Sequence, residues 1–197
     1  MSLSRLSVAV RGLICSVAAF IGAAVIAPQA QGAFHLWNLN EIYTNSSGTL
    51  QFIELQTSQS GQQFVGGQQI VITNIGATQT HTFTIPSSPA ADSANRTLLF
   101  GTAGLQAAGG PAPDFIIPNG FLFSNGGTIN FFGTNSGGYT ALPTDGILAR
   151  IWGGNTNASN TPRNYAGVTG FVPSPGAAGL LAVGGLIACR SRRRVAG

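Results

Sequence analysis

Lysine is absent from the chain, so all nine positive charges are arginine, and charged residues of either sign make up only 7% of the 197. Six of the arginines, Arg5, Arg11, Arg190, Arg192, Arg193 and Arg194, lie near the two ends. Between Ala33 and Phe171, Arg96, Arg150 and Arg163 face Glu41, Glu54, Asp92, Asp114 and Asp145, which leaves a formal charge of −2 where the whole chain carries +4. A slightly acidic middle offers no basic footprint, so no nucleic-acid partner is expected. Cysteine is nearly as scarce: Cys15 and Cys189 both sit in the terminal segments. The middle therefore holds no disulfide and no thiolate-bound metal, and packing must stabilise it. Its length of about 140 residues suffices for one domain that buries roughly two-thirds of the unfolded chain's surface. Solubility falls to Asn, Gln, Ser and Thr, a neutral hydrogen-bonding surface compatible with a hydrated polysaccharide setting.

Long apolar runs occur only at the ends. Arg5 and Arg11 precede the apolar residues 13–26, and Ala30 and Gly32 place small residues at the two positions a signal peptidase reads. Cleavage is expected before Ala33, with the 33–34 bond as the alternative. Cys15 does not read as a lipid attachment site, because Ile14 before it is large and the apolar stretch follows the cysteine. At the other end, Val172, Pro173, Ser174 and Pro175 lead into the apolar run 176–188, which the basic cluster Arg190, Arg192, Arg193 and Arg194 follows. A helix over 176–188 is roughly 20 Å long, short of a hydrocarbon core of roughly 30 Å. Counting from Val172 to Cys189 gives roughly 27 Å, which bilayer thinning or snorkelling arginines accommodate. Leu180, Leu181, Val183, Leu186 and Ile187 favour insertion by about 0.3 to 0.6 kcal/mol each, while four glycines weaken the helix. Arginines worth about 1 kcal/mol each near an anionic leaflet hold its C-terminal end in the cytoplasm. So weak and oriented a span suits a segment that is held briefly and then cut; a permanent single-span anchor is the alternative.

The order of a Pro-x-Pro break, a short apolar helix and terminal arginines resembles the PEP-CTERM sorting tail of exported bacterial surface proteins. The resemblance covers residues 172–197, with Ser174 where the family has Glu. It implies export, surface sorting and processing by an exosortase, a membrane-embedded cysteine protease or transpeptidase often found alongside exopolysaccharide production. The expected partners are signal peptidase, an exosortase-type enzyme, membrane lipid and, as a candidate ligand, an extracellular polysaccharide.

Within the middle, the apolar period is two. Residues 80–85 put His81, Phe83 and Ile85 on one face and three threonines on the other, a half-buried strand. Residues 50–57, 69–73, 96–100, 128–132 and 146–152 are further β-branched and aromatic runs, separated by Gly- and Asn-rich turns. Evenly spaced strands without a sustained helical period predict an all-β fold, a β-sandwich. Residues 101–118 lapse into Gly, Ala and Pro and read as a long connection across one end; 158–170 read as a polar linker.

A second resemblance rests on Leu39, Asn40, Glu41 and Ile42, on Phe52, Ile53, Glu54 and Leu55, and on Gly66 and Gly67 before the next strand. These look like the opening of a lamin-tail domain, an immunoglobulin-like sandwich, with Gln68 where the family has an aromatic. The resemblance implies a binding or scaffolding module without catalytic activity. The expected organisation is a signal peptide over 1–32, a lamin-tail-like β-sandwich over 33–157, a linker over 158–171 and a sorting segment with a transmembrane helix over 172–197.

Each candidate for chemistry has a structural counterpart. Glu41 and Glu54 on adjoining strands would suit a glycosidase pair, or else are capping groups that accept backbone hydrogen bonds. His35 and His81 have no carboxylate at ligand spacing, and His81 reads as a partly buried, hydrogen-bonded side chain. Ser136 lacks a nucleophile elbow and reads as loop. Asp92 with Asn95, and Asp145 with Gly146, lack the dense carboxylate spacing of a calcium loop. Trp152, beside two glycines, and Tyr139 are the candidate aromatic platform for a sugar, against the alternative that the tryptophans pack in or near the core. No catalytic residue, metal or cofactor is expected.

Overall fold

Ten strands follow a short 3-10 turn at Phe34–Leu36: β1 (Asn38–Thr44), β2 (Gln51–Thr57), β3 (Gln69–Asn74), β4 (Thr80–Thr84), β5 (Arg96–Gly101), β6 (Phe115–Ile116), β7 (Gly126–Phe131), β8 (Asn135–Thr140), β9 (Leu148–Ile151) and β10 (Thr156–Ser159). They come from a computed structural model that describes residues 34–133, 135–154 and 156–173. The expected signal-cleavage positions Ala30, Gly32 and Ala33, Cys15, the expected sorting residues Ser174 and Pro175, and the basic cluster Arg190, Arg192, Arg193 and Arg194 lie outside the described residues. Among the described residues, no helix is long and apolar enough to cross a membrane.

The fold is all-β, with two sheets in a sandwich-like arrangement. One sheet has six strands in the order β10-β9-β1-β2-β5-β6, the other four in the order β4-β3-β7-β8. All pairings are antiparallel except that of β5 with β6. The main core lies between the sheets, where Ile42, Ile53, Leu55, Leu98 and Phe100 of the larger sheet meet Ile70, Ile72, Ile129 and Phe131 of the smaller. The smaller sheet alternates as the sequence predicts, with Thr80, Thr82 and Thr84 exposed and Phe83 packed against the core.

The larger sheet does not alternate, because both of its faces are buried. Residues 51–55 of β2 are all buried. Phe52, with Tyr43, Leu99, Leu105, Ala149 and Val172, builds a second apolar cluster on the face turned away from the smaller sheet. A bulge sorts the side chains of β1: Leu39 pairs with Leu55 and Glu41 with Glu54, so one extra residue, Asn40, is accommodated. Leu39 and Ile42 thus reach the inner core while Tyr43 joins the outer cluster.

Two segments cover the outer face. Residues 102–114 turn back over β5, and Gly101 has to be glycine because a Cβ there would lie 2.7 Å from Leu105 and 2.8 Å from Pro113. Residues 160–172 form a strap. This corrects the expectation of a linker over 158–171: Thr156–Ser159 form β10 against β9, and Asn160, Asn164, Tyr165 and Val172 are buried. The reason is the apolar outer face of the larger sheet, which the chain must shield from water. Ser136, read as loop, lies on β8, an edge strand whose glycines hid its period.

Ile53 and Leu55 are fully buried, so Ile53→Ala or Leu55→Ala should each lose about 2 to 5 kcal/mol of stability in urea denaturation of the domain. Thr82→Ala on the exposed face should change it by less than about 0.5 kcal/mol. Equal effects at the two kinds of position would mean that the core lies elsewhere.

Candidate functional site

The carboxylates singled out in the sequence come together on the outer face of the larger sheet. Glu41 of β1 and Glu54 of β2 stand opposite each other in register, 1% and 2% exposed. Asp114 joins them beside β5, where its carboxylate accepts the Leu99 N–H at 2.8 Å. The strap supplies the remaining donors at every second residue. Thr161 N–H donates to Glu41 Oε1 at 2.9 Å and its hydroxyl to Oε2 at 3.2 Å. Arg163 N–H donates to Glu54 Oε2 at 2.6 Å, while Asn40 Nδ2 reaches Oε1 at 2.6 Å. Tyr165 N–H donates to both Asp114 oxygens, at 2.9 and 3.1 Å. Period two along the strap thus meets three neighbouring carboxylates across the sheet.

Further bonds fix the strap's ends and flanks. Asn160 closes it as a clasp: its Oδ1 accepts the Val172 N–H at 2.7 Å, and its Nδ2 donates to Val172 O at 2.8 Å and to Ile147 O at 2.7 Å. The Thr97 hydroxyl donates to the carbonyls of Arg163 and Asn164. Arg96 donates to Tyr165 O at 2.9 Å and lies over the Tyr165 ring, 5.5 Å from its centroid. Val172 and Pro173, the first two residues of the expected sorting motif, are thereby placed: Val172 is fully buried in the outer cluster and Pro173 partly buried after it.

Burial dominates the electrostatics of this row. It pushes the Glu41 carboxyl up to about 7, with the Thr161 N–H pulling down and the Glu54 charge adding to the rise. Burial likewise raises Glu54 against the bonds from Arg163 and Asn40, and Asp114 against those from Leu99 and Tyr165. As an acid–base pair, Glu41 and Glu54 are close enough to interact, but the strap covers them and backbone N–H groups occupy their oxygens. Asp114 was missed by sequence reasoning. The available signal was charge scarcity: with three arginines for five acids, a carboxylate next to an apolar run such as 115–117 has backbone N–H groups as its main partners.

The other candidates are dispersed. His81 Nδ1 lies 2.9 Å from Phe121 O and its ring stacks 4.5 Å from Phe123, which fits the partly buried, hydrogen-bonded reading. His35 lies in the 3-10 turn, with its ring 4.7 Å from Phe34. Ser136 is exposed on β8. Asp92 closes a turn by accepting from Ser60, Gly61 and Ala94, bonds that hold it below the ordinary carboxylate value, Gly61 foremost. Asn95 has a positive φ of 55° in the same turn, and Gly146 one of 80°. Asp145 accepts from the N–H groups of Ile147 and Leu148. Among the described residues, no group of three or more His, Cys, Asp or Glu side chains is placed to hold a metal ion.

The aromatic platform splits. Trp152 is partly buried against the main core, and Gly137 makes room for its ring: a Cβ there would lie 2.2 Å from Cζ2. An open groove of about 400 Å³ runs past Trp152, Ile151, Tyr139, Thr140 and Ile75. Tyr139 belongs to its wall but is a core residue, 5% exposed, whose hydroxyl accepts the Phe123 N–H at 3.3 Å; burial pushes its phenol up to about 12. Trp37 is fully buried, with Nε1 donating to Gln62 O at 2.7 Å.

No protein-family model, curated protein or solved structure matches this chain.

Two measurements follow from the carboxylate row. Glu41 titrates near 7 when folded and at an ordinary 4.5 when not, so the folded state holds the proton more tightly between those values. Its contribution is fully present below pH 4.5, falls through the window and is gone above 7, a loss of about 3 kcal/mol. Urea denaturation should show the domain more stable at pH 5 than at pH 8, and Glu41→Gln should flatten that slope. Secondly, Glu54→Ala removes the acceptor of the Arg163 N–H. Losing a hydrogen bond to a charged group costs about 1.5 to 3 kcal/mol, enough to raise local opening at least about tenfold. Limited trypsinolysis should therefore cut after Arg163 at least about tenfold faster in Glu54→Ala; equal rates would mean that Glu54 does not hold the strap.

Proposed function

We propose that this chain is an exported, surface-sorted, non-catalytic structural or adhesive module of the bacterial cell envelope or extracellular matrix, built as a lamin-tail-like, immunoglobulin-type sandwich. One observation carries the non-catalytic part: Glu41 and Glu54, the pair best suited to acid–base work, are covered and hydrogen-bonded to the strap. The two antiparallel-rich sheets are compatible with the lamin-tail resemblance. Export and sorting rest on the signal-like N-terminus and on the tail from Val172 through Arg194. In this reading a signal peptidase cuts before Ala33, and an exosortase-type enzyme removes the anchor beyond Pro175. Among the described residues Val172 is the last fully buried one before that point, so the cut falls close to the folded domain.

A second reading, a carbohydrate-binding adhesin, is favoured by the groove beside Trp152. It calls for glycan binding that Trp152→Ala abolishes.

Intact mass of the protein released from cells tests the main reading. The expected species begins at Ala33 and has lost the arginines of the tail; a surface form that retains Arg192 to Arg194 rules processing out. Turnover of a polysaccharide that disappears in Glu54→Gln would overturn the non-catalytic assignment.

A further inference from the structure

A polar concavity of about 360 Å³ opens where the strap crosses one end of the larger sheet. Its floor is a cross-strand row: Asn38 of β1 pairs with Gln56 of β2, and Gln56 with Thr97 of β5. Ser58 and Asn95 add to the rim, and Arg96 and Arg163 complete the lining. The segment from Ala33 to Phe171 has three arginines, no lysine and a formal charge of −2, yet two of the three arginines converge on this one concavity, and no carboxylate lines it.

Both guanidinium groups are positioned to bind. Arg96 is held by Tyr165, through the bond to its carbonyl and the contact with its ring, which leaves part of its donor fork unused. The Arg163 backbone is pinned by Glu54 and Thr97, while its exposed guanidinium lies beside Gly167 and donates no hydrogen bond to any described residue. Its pull on Glu54 is electrostatic, and the Glu54 oxygens are already taken by Asn40 and by the Arg163 N–H.

We propose that this concavity binds a carboxylated sugar, a hexuronate residue of an acidic polysaccharide. A planar carboxylate matches the guanidinium fork bidentately. Asn38, Gln56 and Asn95 carry both donors and acceptors, which suits the hydroxyls of a pyranose; an anion of acceptors alone would leave their carbonyl oxygens unmatched. Openness to solvent lets a polymer pass through without threading. The proposal builds on the envelope or matrix reading by naming the class of sugar, but the binding itself does not depend on sorting.

The test uses the full chain purified in mild detergent and titrated calorimetrically with oligogalacturonate, with neutral galactose oligomers and with inorganic phosphate in physiological salt. Oligogalacturonate should bind, the neutral oligomers should not, and Arg163→Gln should weaken binding at least tenfold with an unchanged melting temperature. Gln56→Ala should weaken it further against sugar than against phosphate. Absence of oligogalacturonate binding, equal binding of the neutral oligomers, indifference to Arg163→Gln, or phosphate that binds as tightly as the oligouronate would each overturn the proposal. Sorting is read separately, from the intact mass of the protein released from cells: a released form that retains Arg192 to Arg194 refutes sorting and leaves this site standing if the purified chain binds oligogalacturonate, whereas a processed released form beside a purified chain that does not bind overturns this site alone.

Discussion

The structure depends on how three buried carboxylates are satisfied. Glu41, Glu54 and Asp114 are buried beside the apolar cluster of one sheet face, in a domain with few cations to pair with them. Burying a carboxylate without partners costs several kcal/mol, and backbone N–H groups are the donors a charge-poor chain has in supply. The strap answers both needs, since it brings N–H groups to the acids and lays Tyr165 and Val172 near or within the apolar patches. Without it, the outer face of β1, β2 and β5 would expose tyrosine, phenylalanine and leucine alongside unpaired acids. The domain therefore extends to Val172.

The two sheets divide the work of burial and exposure. The smaller one shows threonine to solvent, and its β-branched residues favour strand geometry without adding charge. The larger one is covered on both sides and carries the buried carboxylates Glu41 and Glu54. Arg150 links them: from β9 its guanidinium donates to Asn157 of β10 and to Thr140 of β8. The sheets are thus joined by a polar contact at one margin as well as by the core.

Strands with one wet face were legible in the sequence. Residues 80–85 alternate cleanly, and the runs around 50–57, 69–73, 96–100, 128–132 and 146–152 all contain a strand within a few residues of the expected ends. Where apolar and aromatic side chains ran out, so did the reading. β8 carries Gly137 and Gly138, which have no side chain to show a period, and β10 is Thr-Asn-Ala-Ser, exposed throughout. The strap was mistaken for a linker because its grip is made by backbone N–H groups, which composition does not display. Glu41 and Glu54 were recognised as acceptors of backbone bonds, but the identity of the donors, some 110 to 120 residues along the chain, is a property of the fold.

The Asn160 clasp has a mechanical consequence. Asn160 binds both backbone groups of Val172 and, through its N–H and its side chain, Ile147 O just before β9. A pull applied beyond Pro173 enters the domain through that side chain and is passed to the β9 margin of the larger sheet, and the intervening loop of 161–171 carries little of it. Tension must first break the clasp before it can peel Tyr165, Arg163 and Thr161 from their acids in turn. The Asn160 clasp is therefore a small mechanical fuse, set in series with the carboxylate row.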